Sequence, residues 1–228
     1  MLYPCLKLHE DIQILKFTNL SLNANDTKAI GKVLADFKNI RELDLTNSKC
    51  NDSSIKDIAD GLMRAKQLEI IKLGNNPSMG KSVNSVIYNL AFSPKIRYID
   101  LSDIAGTDKD TAEALFKLIN ISGSIESLVL ANSSVLSLLT EDFYKSVGQS
   151  KTLKYLNLDS ASGVANGNHL RIGQCFAMNA KLKGALVAVS MANWFNSNSA
   201  FNLFLAGLKV SDQDAEYWYG DKNLAKNM

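Results

Sequence analysis

The sequence has little of what usually announces chemistry. It holds two histidines, His9 and His169, and three cysteines, Cys5, Cys50 and Cys175. Neither histidine has a metal-ligating neighbour three or four residues away, so each is expected to be a surface or helix-end residue rather than a ligand. The cysteines are odd in number, far apart and without a CxxC pair, which argues against a disulfide framework and for reduced thiols. No GxSxG, HExxH or phosphate-binding glycine-rich loop occurs, and no carboxylate pair recurs at a fixed position. No catalytic, cofactor or metal site is therefore expected, and the chain reads as a non-enzyme. An excess of one charge is also missing: 25 Lys and Arg stand against 23 Asp and Glu, a net charge of +2. That balance lacks the basic footprint of a nucleic-acid binder, so no nucleic-acid partner is expected. No run approaches the roughly 18 apolar residues of a membrane span, and the start does not pattern as a secretory leader. A cytoplasmic protein is expected, and matches to the glycosylation sequon such as Asn51-Asp-Ser53 are read as chance.

What is present is a repeat. The stretch Ile40-Arg-Glu-Leu43-Asp-Leu45-Thr-Asn-Ser48-Lys-Cys50 has apolar residues at its first, fourth, sixth and eleventh places. Counting from the first place, similar units begin at Ile12, Ile40, Leu68, Ile96, Ile125, Leu153 and Leu182, at spacings of 28, 28, 28, 29, 28 and 29 residues. Each unit opens with the alternation of a short strand: Leu15-x-Phe17, Leu43-x-Leu45, Ile71-x-Leu73, Ile99-x-Leu101, Leu128-x-Leu130, Leu156-x-Leu158 and, more weakly, Ala185-x-Val187. Helical spacing follows. In the second unit Asn51-Asp-Ser-Ser54 offers an N-cap, with Ile55, Ile58, Ala59, Leu62 and Met63 as the apolar stripe. In the fourth, Asp108 or Asp110 lies near the cap and Ala112, Leu115, Phe116 and Ile119 face inward. Comparable helices are expected near residues 27–37, 82–92, 140–148, 168–178 and 197–207. One strand and one helix cannot bury their apolar faces alone, so the units stack, with strands on the concave side and helices on the convex side.

This pattern resembles leucine-rich repeats of the ribonuclease-inhibitor-like class, whose 28–29-residue units carry L-x-x-L-x-L-x-x-N/C-x-L. The resemblance implies an α/β fold, a curved horseshoe of parallel strands and convex helices. About seven repeats are expected over residues 12–209, with flanks or caps at 1–11 and 210–228. At the ninth place, where the family keeps Asn or Cys, stand Leu20, Ser48, Asn76, Ile104, Ser133, Ala161 and Ser190. Only Asn76 conforms, so Ser hydroxyls, backbone or water must satisfy the other loops. Cys50, at the eleventh place, is expected to be a buried small hydrophobe. The ends are expected to be covered by Leu2, Tyr3, Leu6 and Leu8, and by Tyr217, Trp218 and Tyr219 unless those aromatics meet something else.

Third, fifth and seventh places should project into the concavity. They supply Ile14, Lys16 and Thr18, then Glu42, Asp44 and Thr46, then Ile70, Lys72 and Gly74. The later units supply Tyr98, Asp100 and Ser102; Ser127, Val129 and Ala131; Tyr155, Asn157 and Asp159; and Gly184, Leu186 and Ala188. Two tyrosines among acids and aliphatics suit a protein interface, and the protein-binding candidates are Glu42, Asp44, Ile70, Lys72, Tyr98, Asp100, Val129, Tyr155, Asn157 and Asp159. The alternative is a solvated sheet face with an ordinary scatter of apolar side chains. The class implied by the resemblance includes cytoskeletal and ciliary repeat domains, so the expected function is a non-catalytic interaction or scaffold module in such an assembly, with another protein as partner. The second reading is a regulator of a small GTPase, because Ran GTPase-activating proteins are similar in repeat length. It would need polar groups presented at a nucleotide-bearing partner, and the four arginines offer little support: Arg41 and Arg97 occupy the second strand place, and Arg64 and Arg171 lie on expected convex helices.

Overall fold

The computed structural model describes residues 11–160, 166–195 and 197–209, with Pro4 and His9. The expectations placed on Leu2, Tyr3, Cys5, Leu6, Leu8, Ala161, Tyr217, Trp218 and Tyr219 lie outside these residues. Seven three-residue strands form one open parallel sheet in chain order: β1 (Ile14–Lys16), β2 (Glu42–Asp44), β3 (Ile70–Lys72), β4 (Tyr98–Asp100), β5 (Ser127–Val129), β6 (Tyr155–Asn157) and β7 (Ala188–Ser190). A helix follows each: α1 (Ala24–Asp36), α2 (Ser54–Leu62), α3 (Val83–Ala91), α4 (Lys109–Ile121), α5 (Glu141–Gln149), α6 (Asn166–Lys181) and α7 (Asn198–Gly207). Short 3-10 turns, Pro77–Ser82 and Ser134–Leu138, lead into α3 and α5. The molecule is a curved α/β repeat solenoid.

The inward places account for the core. Leu15, Leu43, Ile71, Ile99, Leu128 and Leu156, all at the fourth place, are buried in one row, and Leu45, Leu73, Leu101, Leu130 and Leu158 form the sixth-place row behind them. The helices close the core with stripes such as Ile55, Ile58, Ala59 and Leu62 on α2. Two expected stripe residues differ. Met63 falls just beyond α2 and is exposed, and Phe116 is only half-buried because Leu118 takes the inward place on α4. Caps set the helix starts. Asp108 accepts from the Thr111 amide at 3.1 Å, and the Asn51 side chain accepts from the amides of Ser53 and Ser54. Asn23 and Asp26 form a capping box that begins α1 three residues before the expected start.

Loop backbones are satisfied largely as anticipated. Asn76 Oδ1 accepts from the Ser48 and Cys50 amides at 3.1 and 3.0 Å, while Nδ2 donates to the carbonyls of Leu45, Leu73 and Gly74. Ser48 Oγ donates to the Leu45 carbonyl and Ser133 Oγ to that of Ile104. A second ladder, at the eighth place, was not read from the sequence. Asn19, Asn47, Asn75, Asp103, Asn132, Ser160 and Asn193 all have φ between 53° and 59°, the left-handed region in which Asn and Asp are tolerated best. Side chains link adjacent rungs: Asn47 donates to Asn19 at 2.9 Å and Asn132 to Asp103 at 2.6 Å.

The seventh repeat corrects the sequence reading. It pairs as Tyr155↔Ala188, Leu156↔Val189 and Asn157↔Ser190, so its first place is Leu186 rather than Leu182. Leu182 instead closes α6, its amide donating to Met178 O at 2.9 Å. Asn179 holds the descending chain back: its Oδ1 accepts from the Leu186 amide, and its Nδ2 reaches the carbonyls of Val147, Gly148 and Ser150. Val187, expected inward, is 83% exposed. The ninth place of this repeat is Trp194, fully buried, and not Ser190.

Candidate functional site

Register places the third- and fifth-place side chains in rows across the outer face of the sheet. For the seventh repeat the concave residues are Ala188, Ser190 and Ala192. Gly184 lies in the preceding loop, and Leu186 packs partly against the core.

The first three strands carry an ionic cluster. Glu42 Oε1 meets Lys16 Nζ at 3.2 Å and Lys72 Nζ at 3.1 Å, and Lys72 lies 3.8 Å from Asp44 Oδ2. Burial works to raise the Glu42 carboxyl, but the Lys72 and Lys16 ammonium groups outweigh it and hold it below its ordinary value. Ile70 stands half-buried beside this cluster. The fifth-place acids and amide have a structural task. Asp44 accepts from the Thr46 amide at 3.0 Å, Asp100 from Ser102 at 2.9 Å and Asn157 from Asp159 at 2.8 Å, so each side chain turns its own strand end into the loop. Asp159 in turn accepts from Ser190 Oγ and the Ala192 amide, both at 2.6 Å, tying β6 to β7.

Strands β4 to β6 present a different surface. Tyr98 and Tyr155 are aligned with Ser127 between them, two strand spacings or about 10 Å apart. Ser127 separates the two tyrosines in the row, with Asp100, Val129 and Asn157 along the next row, where Asn157 Nδ2 donates to the Tyr155 hydroxyl at 3.3 Å. Burial, followed by Asp100, Tyr155 and Asp44 nearby, pushes the Tyr98 hydroxyl above its ordinary value, so it stays a neutral donor. At Gly74 a larger residue would displace neighbouring side chains. A Cβ at that position would stand 2.5 Å from Ser102 Oγ and 3.1 Å from Asp100 Oδ1.

Second-place residues stand at the edge of the sheet and alternate in sign. Arg41 meets Glu69 at 3.4 Å, and Glu126 is shared by Arg97 at 2.9 Å and Lys154 at 3.1 Å. The Lys154 and Arg97 groups hold Glu126 below its ordinary value. Arg171 pairs with Glu141 at 2.8 Å. Three of the four arginines that a GTPase regulator could present are thus engaged within the chain.

His169 departs from expectation. It is fully buried on α6, edge-on to Trp194 with ring centroids 6.2 Å apart and tilted against Phe195 at 5.9 Å. Among the described residues neither of its nitrogens has a hydrogen-bond partner. Cys50 and Cys175 are buried free thiols, and burial raises both. Among the described residues no group of three or more His, Cys, Asp or Glu could hold a metal ion. No helix among them is long and apolar enough to cross a membrane.

A surface that sequence reasoning missed lies on the helix side. Tyr88 and Phe92 form an exposed edge-to-face pair, 5.3 Å between centroids, with Lys117 Nζ 5.7 Å above the Tyr88 ring. Tyr88 and Lys117 line a groove of ≈ 480 Å³ together with Asp60, Met63 and Glu113. The signal was available, since Tyr88 and Phe92 fall off the Val83, Val86, Ile87 and Leu90 stripe that buries α3.

Neither a protein-family model nor a curated protein matches this chain. Among solved structures it is similar to "Leiomodin-1 Actin-Binding Site 2", with a TM-score of 0.50 and 14% sequence identity over 74% of this chain and 98% of that one. At that identity the likeness is one of fold, a solenoid of the leucine-rich-repeat type.

Proposed function

We propose that the protein is a non-catalytic interaction module, a leucine-rich-repeat solenoid of the ribonuclease-inhibitor-like class that binds another protein through its concave face. The observation that carries this reading is the row of half-buried Tyr98 and Tyr155 on either side of Ser127 on the concave face, next to Asp100, Val129 and Asn157. Aromatic side chains supply contact area at low entropic cost, and their hydroxyls fix orientation, a pairing enriched at protein interfaces. Glu42, Asp44, Lys72 and Asp159 serve as a polar rim already held by internal bonds, setting complementarity more than affinity.

A cytoskeletal assembly is the proposed setting, and the fold shared with an actin-binding segment makes actin the first partner to test. In cosedimentation with actin filaments, the full chain should bind. Tyr98→Ala with Tyr155→Ala should weaken that binding by about tenfold or more, the loss expected of two central aromatic anchors. Binding unchanged in the double variant would remove the concave face from the reading. If actin is not bound, partners isolated by proximity labelling from the native source take its place in the same comparison.

A further inference from the structure

The near-neutral charge of the chain hides a segregation that the fold lays out. Every segment running from a helix to the next strand lies on one edge of the solenoid, and every segment from strand to helix on the other. The six helix-to-strand segments, residues 37–41, 63–69, 92–97, 122–126, 150–154 and 182–187, hold nine Lys and Arg against two Glu. Arg41, Arg97 and Lys154 belong to the ladder described above. The other six, Lys38, Arg64, Lys66, Lys95, Lys151 and Lys183, are all exposed. This edge is thus +7 in a chain of +2, whereas the described residues of the opposite edge carry two lysines against four aspartates.

Part of that charge serves the helices. Six helices lead into these segments, each leaving about half a negative charge on its last carbonyls, and Lys151 Nζ donates to the Leu182 carbonyl just past one such end. Six ends account for about three charges, so about four remain uncompensated. The same edge bears large apolar side chains that stand exposed. Met63, Phe92, Ile121, Val187 and Leu208 are 57, 53, 46, 83 and 41% exposed, and each lies in one of these segments or at a helix C-terminus. On the opposite edge only Leu20 is a comparably exposed large apolar residue among those described.

We infer that this edge docks on an anionic lipid bilayer. Ammonium and guanidinium groups take the headgroup charge, and apolar side chains standing among them enter the boundary between headgroups and acyl chains. A single-stranded nucleic acid would use the same cations but would want a row of stacking rings, and among the described residues the segments of this edge expose only Phe92. An acidic protein surface would use the cations without needing isolated apolar side chains to stand out from the edge.

The test is cosedimentation of the full chain with vesicles of phosphatidylcholine alone or with about 30% phosphatidylserine. Binding is expected to the second kind only, falling by about tenfold or more as salt rises from about 0.05 to 0.5 M. The variant Lys38→Gln/Lys95→Gln/Lys151→Gln should bind about tenfold more weakly or worse. Phe92→Ser/Val187→Ser should lose several-fold at unchanged charge. The concave pair Tyr98→Ala/Tyr155→Ala should bind vesicles as the parent does, which separates this inference from the protein-binding reading. All three variants should retain the parent's circular dichroism. No partition onto phosphatidylserine vesicles, or equal partition onto neutral ones, overturns the inference. So does a result in which Phe92→Ser/Val187→Ser binds like the parent while an oligonucleotide or poly-glutamate is held as tightly as the vesicles.

Discussion

At the scale of single residues, the loops rest on a few polar side chains with many bonds each. Asn76 is the extreme case: buried, it satisfies two amides and three carbonyls in two successive turns. Replacing it by Ala strips the Ser48 and Cys50 amides and the Leu73 carbonyl of this partner, while the Leu45 and Gly74 carbonyls keep Ser48 Oγ and the Asn47 amide. Each orphaned buried group costs about 1–3 kcal/mol. Partial relaxation keeps the total below the sum, and Asn76→Ala should destabilise by about 3 kcal/mol in urea unfolding. A change under about 1 kcal/mol would mean that water or Ser48 takes over, and that the ladder is dispensable. The ninth-place ladder was legible because a family pattern points to it. The eighth-place ladder was equally visible as letters, six Asn or Asp and one Ser, but its meaning is a positive φ. Hydrophobic periodicity is blind to that property. Reading it would also have set the last repeat, since Asn193 lies 33 residues after Ser160 and the assumed register put Val189 there, a β-branched residue ill suited to the conformation.

At the scale of elements, the strands were legible wherever Leu or Ile filled both inward places, and they failed where α6 ran longer than its neighbours. Leu182 is apolar at the right spacing, yet the helix claimed it, because Asn179 offers the chain better bonds one turn earlier than a strand could. Helix-to-helix contact was not legible at all. Gly31 and Gly61 look like weak helix formers, but a Cβ on Gly61 would stand 2.3 Å from Gly31 O and 2.9 Å from Gly31 Cα, both rigid backbone. In an open helix Gly→Ala stabilises by about 1 kcal/mol. Here α1 and α2 would have to part, and Gly61→Ala should destabilise by about 1–3 kcal/mol in thermal unfolding. Gly123→Ala is the matched control, because its added methyl meets nothing within 4 Å, and it should change stability by less than about 1 kcal/mol. If both substitutions stabilise alike, the close approach of the two helices is wrong.

At the scale of the whole molecule, a solenoid has neighbours only before and behind, so its stability is a sum of repeats and interfaces rather than one shared core. The burial of the inward places then says where the sum is smallest. In the five central repeats the first, fourth and sixth places are buried throughout. In the first repeat Leu15 is buried while Ile12 and Phe17 are only partly covered, and in the seventh Leu186, Val189 and Met191 are all partly covered. The seventh repeat should therefore open first, the first repeat next, and the centre last. Native-state hydrogen exchange can resolve this, because each strand carries identifiable bonds. The Leu158 and Ser160 amides, bonded to Ser190 and Ala192, should exchange at least about tenfold faster than Leu101 and Leu130, bonded to Val129 and Asn157, since a difference of 1.4 kcal/mol in local opening is tenfold. Phe17, bonded to Asp44, should fall between. Equal protection from β1 to β7 would show one cooperative unit instead, in which the exposed Val187 and half-buried Leu186 cost the solenoid nothing at its end. The graded result would make the terminal repeat the part most open to rearrangement when a partner arrives, leaving Tyr98, Ser127 and Tyr155 on the strands that move least.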